Sequence, residues 1–383
     1  MKKSFNVNGV CRPNRHYMAD LTPRLEKIRE MVARGDYFLI NRGRQCGKTT
    51  LLRSLAVYLE ADYEVVSLDF QRLGSQTYEH ESLFVDAFTR LLLDCAGNLP
   101  VDVRVQLMQL RDETGTVKSL QILFGLLSDW CSKSEKPVVL LIDEVHAAVN
   151  NHIFTDFLAQ LRAAYLDSDI TPAFQSVILA GSHDMRHVKR TLSPEEEHRD
   201  FYPWNIAARF PFELNLRTNE ISGMLREYEN DSHTGMNIPE IAWLLYDYTC
   251  GYPVLVSGLC KIMDELLPGT PGFPEPGDVW TQKGLEAAVK ILLREENPLF
   301  GSLWENLNCH PKMKNRIYTL LFRRHTIPYN VDDPVTSQLA MTGLIKDVDG
   351  YMRISNRIFE TRLYNCFMMA AEAENIENSL RYR

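Results

Sequence analysis

An α/β fold built on a parallel sheet is predicted by three observations. Short aliphatic and aromatic runs recur at Tyr37–Ile40, Tyr63–Leu68, Val138–Ile142 and Gln175–Ala180, each followed by polar or small residues, as buried strands are. The stretches between them carry apolar residues three and four apart, the helical period. The run Val138-Val139-Leu140-Leu141-Ile142 is apolar on both faces, which a strand sustains when helices cover both sides of its sheet.

The strand Tyr37–Ile40 leads into Asn41-Arg42-Gly43-Arg44-Gln45-Cys46-Gly47-Lys48-Thr49-Thr50, after which Leu51, Leu52 and Leu55 set a helical spacing that lasts to about Leu59. A strand, a polar loop and a helix in that order form the setting of a phosphate-binding loop. Backbone N–H groups at the helix N-terminus surround a phosphate, the lysine neutralises its oxygens, and the threonine hydroxyl ligates Mg²⁺. The pattern G-x-x-x-x-G-K-[ST] would put its first glycine at Arg42, whereas the nearest is Gly43. The groups the chemistry needs, Gly47, Lys48 and Thr49, are adjacent and in order. Residues Arg42, Gly43, Arg44, Gln45, Cys46, Gly47, Lys48, Thr49 and Thr50 are therefore the candidate nucleotide-binding residues. A thiol at Cys46 is either oxidant-sensitive or simply a small loop side chain.

Composition bounds the rest. At 383 residues the chain has room for two or three domains. With 45% hydrophobic and 24% charged residues it is an ordinary globular sequence. A net charge of −8 and a pI near 5.7 speak against a surface given over to nucleic acid. No apolar run approaches the roughly 20 residues that span a bilayer, and MKKSFNVNG lacks an apolar signal core, so a cytoplasmic protein without a membrane role is expected. The 8 cysteines include no C-x-x-C pair, so neither a disulfide framework nor a zinc site is expected.

Along the chain, Phe5-Asn6-Val7 reads as an extended arm and Pro13-Asn14 as a turn. A helix capped by Asp20, with Pro23 in its first turn, then carries Leu25, Ile28, Met31 and Val32 up to Gly35. Pro13, Tyr17 and Met18 are candidates for contact with an adenine ring, packing alone being the alternative. A strand at Tyr63–Asp69 is followed by helical stretches to about Ala96 and to near Cys131.

The strand Val138–Ile142 ends in Asp143-Glu144. One carboxylate there suits a Mg²⁺ ion and the next suits a water attacking phosphorus; the alternative is that Asp143 caps the following helix. The strand Gln175–Ala180 ends in Gly181-Ser182-His183-Asp184, which makes Ser182 and Asp184 candidates to touch a terminal phosphate. His146 and His183 lack companions at metal-ligand spacing, and Glu195–Asp200 reads as a solvated loop. Phe212-Glu213-Leu214-Asn215-Leu216 alternates and is expected to close the sheet.

Taken together with Pro203–Ala207 (PWNIA) and Thr249–Cys260 (TCGYPVLVSGLC), these motifs resemble the bacterial AAA-like domain ATPases, near the AAA+ and STAND branches of the P-loop NTPases, over about residues 5–365. Loops of the form N-R-x-R-Q-x-G-K-T occur in that family, so the displaced glycine is shared. The resemblance implies a P-loop NTPase core with a five-stranded parallel sheet, followed by a helical lid and a C-terminal winged helix. The corresponding divisions are residues 1–217 for core and arm, 218–298 for the lid, 299–370 for the winged helix and 371–383 for a tail. Gly251-Tyr252-Pro253 would correspond to the GxP turn that lies near the nucleotide in STAND-like proteins. Relatives often continue into a PD-(D/E)XK nuclease-like domain, but no acidic cluster followed by E-x-K occurs in this sequence, so no nuclease chemistry is expected of it.

The residues agree with that C-terminal expectation. Helical stretches at Lys314–Arg323 and Pro334–Met341 precede a hairpin turning at Asp349-Gly350, and a last helix runs from about Asn356 to Met369. Arg323, Arg324, Lys346, Arg353 and Arg357 interleave with Asp332, Asp333, Asp347 and Asp349, so DNA binding is not favoured for this module.

The expected function is that of a Mg²⁺-dependent ATPase working as a nucleotide-driven conformational switch, with self-association or a protein partner to act on. Lys48 and the loop amides would hold phosphates, with Ser182 beside them; Thr49 and Asp143 would hold Mg²⁺, and Glu144 would orient water. Arg42, Arg44 or Arg209 is the candidate charge-stabilising arginine, in cis or supplied to a neighbouring subunit. The alternatives are an ATP-gated DNA-binding regulator of the initiator-ATPase type and an ATP-binding scaffold with little turnover.

Overall fold

The computed structural model of the chain describes residues 2–112, 117–148, 151–181, 204–323 and 326–381. Its contacts divide the chain into two compact units. A sheet unit comprises Leu21–Asn41 and Lys48–Phe212, and a helical unit comprises Met1–Asp20, Arg42–Gly47 and Glu213–Arg383.

The sheet unit begins with α1 (Thr22–Ala33), started by Pro23 in the first turn, with Leu21 rather than the expected Asp20 at the cap position. Then follow β1 (Phe38–Asn41), α2 (Lys48–Leu59), β2 (Glu64–Asp69), α3 (Glu81–Cys95), α4 (Val101–Asp112), α5 (Leu120–Lys133), β3 (Val138–Asp143), α6 (His152–Leu166) and β4 (Ser176–Gly181). The described strands form one parallel sheet in the order β1-β4-β3-β2. β3 and β4 are buried along their whole length, which explains their unbroken aliphatic runs.

Successive side chains of a strand point to opposite faces. Val138, Leu140 and Ile142 of β3 join a core with Phe84, Phe88, Leu123, Trp130, Phe154 and Phe157 from α3, α5 and α6, while Val139 and Leu141 face the other way. Phe70, just after β2, meets Phe84, Phe88 and Phe154 edge-on at centroid distances of 6.3, 6.3 and 5.9 Å. α2 buries Leu51, Leu52, Leu55 and Leu59 and packs against β2, β3 and β4. All the strands being parallel, Asn41, Asp69, Asp143 and Gly181 end at one edge of the sheet, in the registers Asn41↔Gly181 and Asp69↔Asp143.

The fifth strand expected at Phe212–Leu216 does not form, and among the described residues the sheet has four strands. Within the helical unit, Leu216 N–H donates to the Gly251 carbonyl at 2.7 Å and Asn215 Nδ2 to the Cys250 carbonyl at 3.1 Å, so these groups serve a turn instead of a ladder. Besides β4, among the described residues β1 is met by an isolated bridge, Phe38↔Ala208, with Ala208 N–H donating to the Tyr37 carbonyl at 2.8 Å.

The helical unit holds α7 (Thr218–Ser232), α8 (Ile238–Thr249), α9 (Pro253–Glu265), α10 (Gln282–Leu292), α11 (Pro298–Cys309), α12 (Pro311–Phe322), α13 (Pro334–Met341), the antiparallel hairpin β5 (Ile345–Val348) and β6 (Tyr351–Ile354), and α14 (Arg357–Arg381). Asp349 and Gly350 both take positive φ, the backbone of a two-residue hairpin turn whose twist suits paired strands. The N-terminal arm doubles back on itself, Tyr17 N–H donating to the Ser4 carbonyl at 3.1 Å. It places Phe5 among Tyr17, Tyr228 and Trp280, at centroid distances of 5.1, 5.1 and 6.1 Å. Among the described residues, no helix is long and apolar enough to cross a membrane.

Candidate functional site

At the carboxyl edge of the sheet, β3 ends in Asp143, a carboxylate left only 8% exposed by the aliphatic strand that carries it. One of its partners is remote in sequence and the other adjacent. The Thr49 hydroxyl in the first turn of α2 hydrogen-bonds to the carboxyl, and the Glu144 backbone N–H donates to Oδ1 at 2.9 Å. Burial pushes the Asp143 carboxyl above its ordinary range and the Glu144 charge adds to this; the Thr49 and Glu144 hydrogen bonds and the Lys48 ammonium oppose it. Lys48, the first residue of α2, is itself 6% exposed. Glu144 stands at φ +56°, a left-handed turn that ends the strand abruptly and that a glutamate rarely adopts.

In the helical unit, residues Arg42–Gly47 form the loop whose chain continues into Lys48. Gln45 and Gly47 take φ of +56° and +89°, and such reversals turn successive N–H groups toward a common side, the geometry that cradles anions. A Cβ built at Gly47 would meet no atom within 4 Å, so what demands glycine there is its φ rather than crowding. The Cys46 thiol is buried and donates to the Gly43 carbonyl at 3.0 Å, a packing role. Arg44 and Gln45 are exposed, and Arg42 lies 3.8 Å from Glu213. The Tyr252 hydroxyl donates to the Arg44 carbonyl, a contact that the sequence signals only through the Gly251-Tyr252-Pro253 turn.

The other expected residues fall as follows. Tyr17, a candidate for adenine contact, is buried between Phe5 and Tyr228, and its hydroxyl donates to Asp231 at 2.9 Å, so its ring serves packing. Arg209 lines a cleft with Lys27, Arg34 and Asp36, toward the amino end of β1, which speaks against a role in cis and leaves the role in a neighbouring subunit open. Ser182, His183, Asp184, Glu195–Asp200 and Arg324 lie outside the described residues, as does the side chain of His146.

The donor set fits a hard cation. A hydroxyl and a carboxylate oxygen suit Mg²⁺, which takes one or two protein oxygens and completes its shell with phosphate and water. Among the described residues, no group of three or more His, Cys, Asp or Glu forms a metal cage of its own. A cation at Asp143 would also offset the charge that burial disfavours there.

A parallel sheet with a glycine-lysine-threonine loop after its first strand is the α/β fold that P-loop ATPases share. Residues 13–189 match the family model described as the AAA-like domain. No curated protein matches the chain. Among solved structures, the Walker-type ATPase PABY2304 of Pyrococcus abyssi superposes with a TM-score of 0.58 at 13% identity, over 94% of this chain and 99% of that one. The ORC2 protein of Aeropyrum pernix gives 0.47 at 12% identity, over 95% and 98%. Cdc6p of Pyrobaculum aerophilum gives 0.42 at 14% identity, over 94% and 96%. Of these three, the Pyrococcus protein is similar enough in shape to bear on the fold, and it bears on the fold alone.

Proposed function

We propose that this chain binds ATP with Mg²⁺ at Arg42–Thr50 and hydrolyses it, the nucleotide state switching the conformation of its helical part. The observation that carries this is the hydrogen bond between the Thr49 hydroxyl and the buried Asp143 carboxyl, beside the buried Lys48. Three side chains from two elements meet there, in the arrangement that phosphate and a hard cation call for.

Lys48 and the backbone N–H groups of Gly43, Arg44, Gln45, Cys46 and Gly47 hold the phosphates, and Thr50 continues the same helix turn. Thr49 and Asp143 would hold Mg²⁺, which when bound neutralises charge developing on the phosphate oxygens. Glu144 accepts a proton from the water that attacks the terminal phosphorus, and Ser182, following β4, is assigned to that phosphate. Arg42 or Arg44 stabilises the charge that develops. Residues 218–298 act as the lid, 299–370 as a winged helix and 371–383 as a tail, on a core and arm of 1–217; the pairing of α12 and α13 with a β5–β6 hairpin supports the winged-helix assignment. DNA contact is not favoured, because α13, the helix that would enter a groove, carries no lysine or arginine and starts after Asp332 and Asp333. The switch then acts on a protein partner or a second copy.

The test is thermal. Mg-ATP at about 100 times its dissociation constant should stabilise the protein by roughly 2.7 kcal/mol, a shift of a few degrees. Lys48→Ala removes a charge-assisted contact worth about 1.5–3 kcal/mol and should nearly abolish the shift. An undiminished shift in that variant would remove the assignment.

A further inference from the structure

The loop Arg42–Gly47 is held from outside at the Arg44 carbonyl. Tyr252, 3% exposed, donates its hydroxyl to the Arg44 carbonyl and sets its ring edge-on to Phe359 at 5.2 Å. Burial pushes the phenol far above its ordinary range, so it remains an O–H donor at any physiological pH. The turn that presents Tyr252 is fixed by its own bonds. Gly251 N–H donates to the Thr249 hydroxyl at 3.1 Å, Leu216 N–H to the Gly251 carbonyl at 2.7 Å, and Pro253 starts α9. A second contact adjoins the first. A Cβ at Gly43 would lie 2.7 Å from the Thr342 carbonyl oxygen and 3.2 Å from the Tyr252 hydroxyl, so the backbone of Thr342, the residue that caps the C-terminus of α13, presses directly on the loop. This accounts for a glycine at position 43, one place from where the phosphate-loop pattern would put it.

A peptide group is planar and trans, so its C=O and N–H point in opposite directions. Holding the Arg44 carbonyl therefore aims the Gln45 N–H the other way, and Gln45 sits at φ +56°, a conformation that persists only where its surroundings enforce it. We propose that Tyr252 is a positioning residue for the phosphate loop, and that through Tyr252 and the Gly43–Thr342 contact the loop and the α13–β5 turn move as one mechanical element. This rests on reading Arg42–Thr49 as the phosphate site. Phosphate drawing the loop amides together then displaces the turn that leads into the hairpin.

Hydrogen–deuterium exchange on the full chain tests it, with wild type, Tyr252→Phe and Lys48→Ala compared without nucleotide and with Mg-ATP. Tyr252→Phe keeps the ring and deletes one donor, whose loss should speed exchange several-fold to about tenfold in residues 43–47 and 342–345 of the nucleotide-free protein. In steady-state turnover the same variant should raise KM by a similar factor while kcat stays within about twofold, a split that a mere loss of packing does not produce. Mg-ATP should slow exchange in both segments of the wild type and in neither segment of Lys48→Ala. Unchanged exchange of the loop in a folded Tyr252→Phe protein overturns the positioning role, and acceleration confined to the loop overturns the coupling. A wild type indifferent to Mg-ATP refutes the nucleotide reading, whereas the nucleotide-free comparison still decides the grip on the loop.

Discussion

Two helix N-termini in this molecule are treated in opposite ways. α13 follows Asp333, whose carboxylate accepts the Thr336 backbone N–H at 3.0 Å and the Thr336 hydroxyl at 2.5 Å, with Arg316 at 3.1 Å behind it. α2 follows Gly47, which has no side chain to cap with, and opens on a buried Lys48 and on Thr49, whose hydroxyl is turned to Asp143. Both helices present the positive end of an aligned set of peptide dipoles. At α13 the chain supplies the anion itself, and that terminus is closed. At α2 the first side chain is a cation, so the terminus is suited to an anion from outside the chain. The presence of a helix N-terminus says little; what the adjoining residues do with it separates a stabilising cap from a binding site.

Glu144→Gln should produce the largest change, because the α2 end alone is assigned chemistry. Nucleotide binding should persist while hydrolysis falls by about 10² or more, read as single-turnover phosphate release. Equal rates would reduce Glu144 to a strand-end residue. Gly47→Asp would give α2 the kind of cap that α13 has. A carboxylate there competes for the same N–H groups and repels phosphate, and the +89° backbone angle strains any side chain, so ATP affinity should drop at least tenfold by calorimetry. Retained affinity would mean that the loop amides are not the phosphate cradle.

Asp333→Ala should have the smallest effect, about 1 kcal/mol of stability by denaturant unfolding at neutral pH. The Thr336 hydroxyl and backbone hydrogen bonds hold the Asp333 carboxyl below its ordinary range. Its contribution is therefore full above the unfolded-state carboxylate pKa and is lost as pH falls through the lowered folded value, so variant and wild type should converge in acid. A deficit that persists unchanged at low pH would show that the side chain acts through packing instead.

Where the controlling interactions are local, the sequence was legible. The aliphatic run of β3, the switch to helical spacing at Lys48 and the Asp349-Gly350 turn each depend on neighbours in the chain, and the elements lie within a residue or so of expectation. Where the partner is remote, legibility failed. Phe212–Leu216 has the alternation of a strand, but whether it joins a ladder depends on the turn at Cys250–Gly251, more than thirty residues on. For Tyr17 base contact and packing both stayed open because Tyr228 and Trp280, which help to bury its surroundings, stand over two hundred residues away. The same limit hid the Tyr252–Arg44 contact, for which composition and period offer no signal.

The aromatic cluster around Phe5 also constrains the order in which the chain is assembled. During synthesis Phe5 is made well before the rings that bury it, which arrive only with Tyr228 and Trp280. Until then Phe5 and Tyr17 remain without their main shelter, and closing so long a loop is slow compared with forming local helices. The strands β1 to β4, all encoded before residue 182, can pair in the meantime. The helical unit is thus the later of the two to complete, because Phe5 and Tyr17 wait for Tyr228 and Trp280, so a lesion in the arm or at those rings should leave the same incompletely folded species.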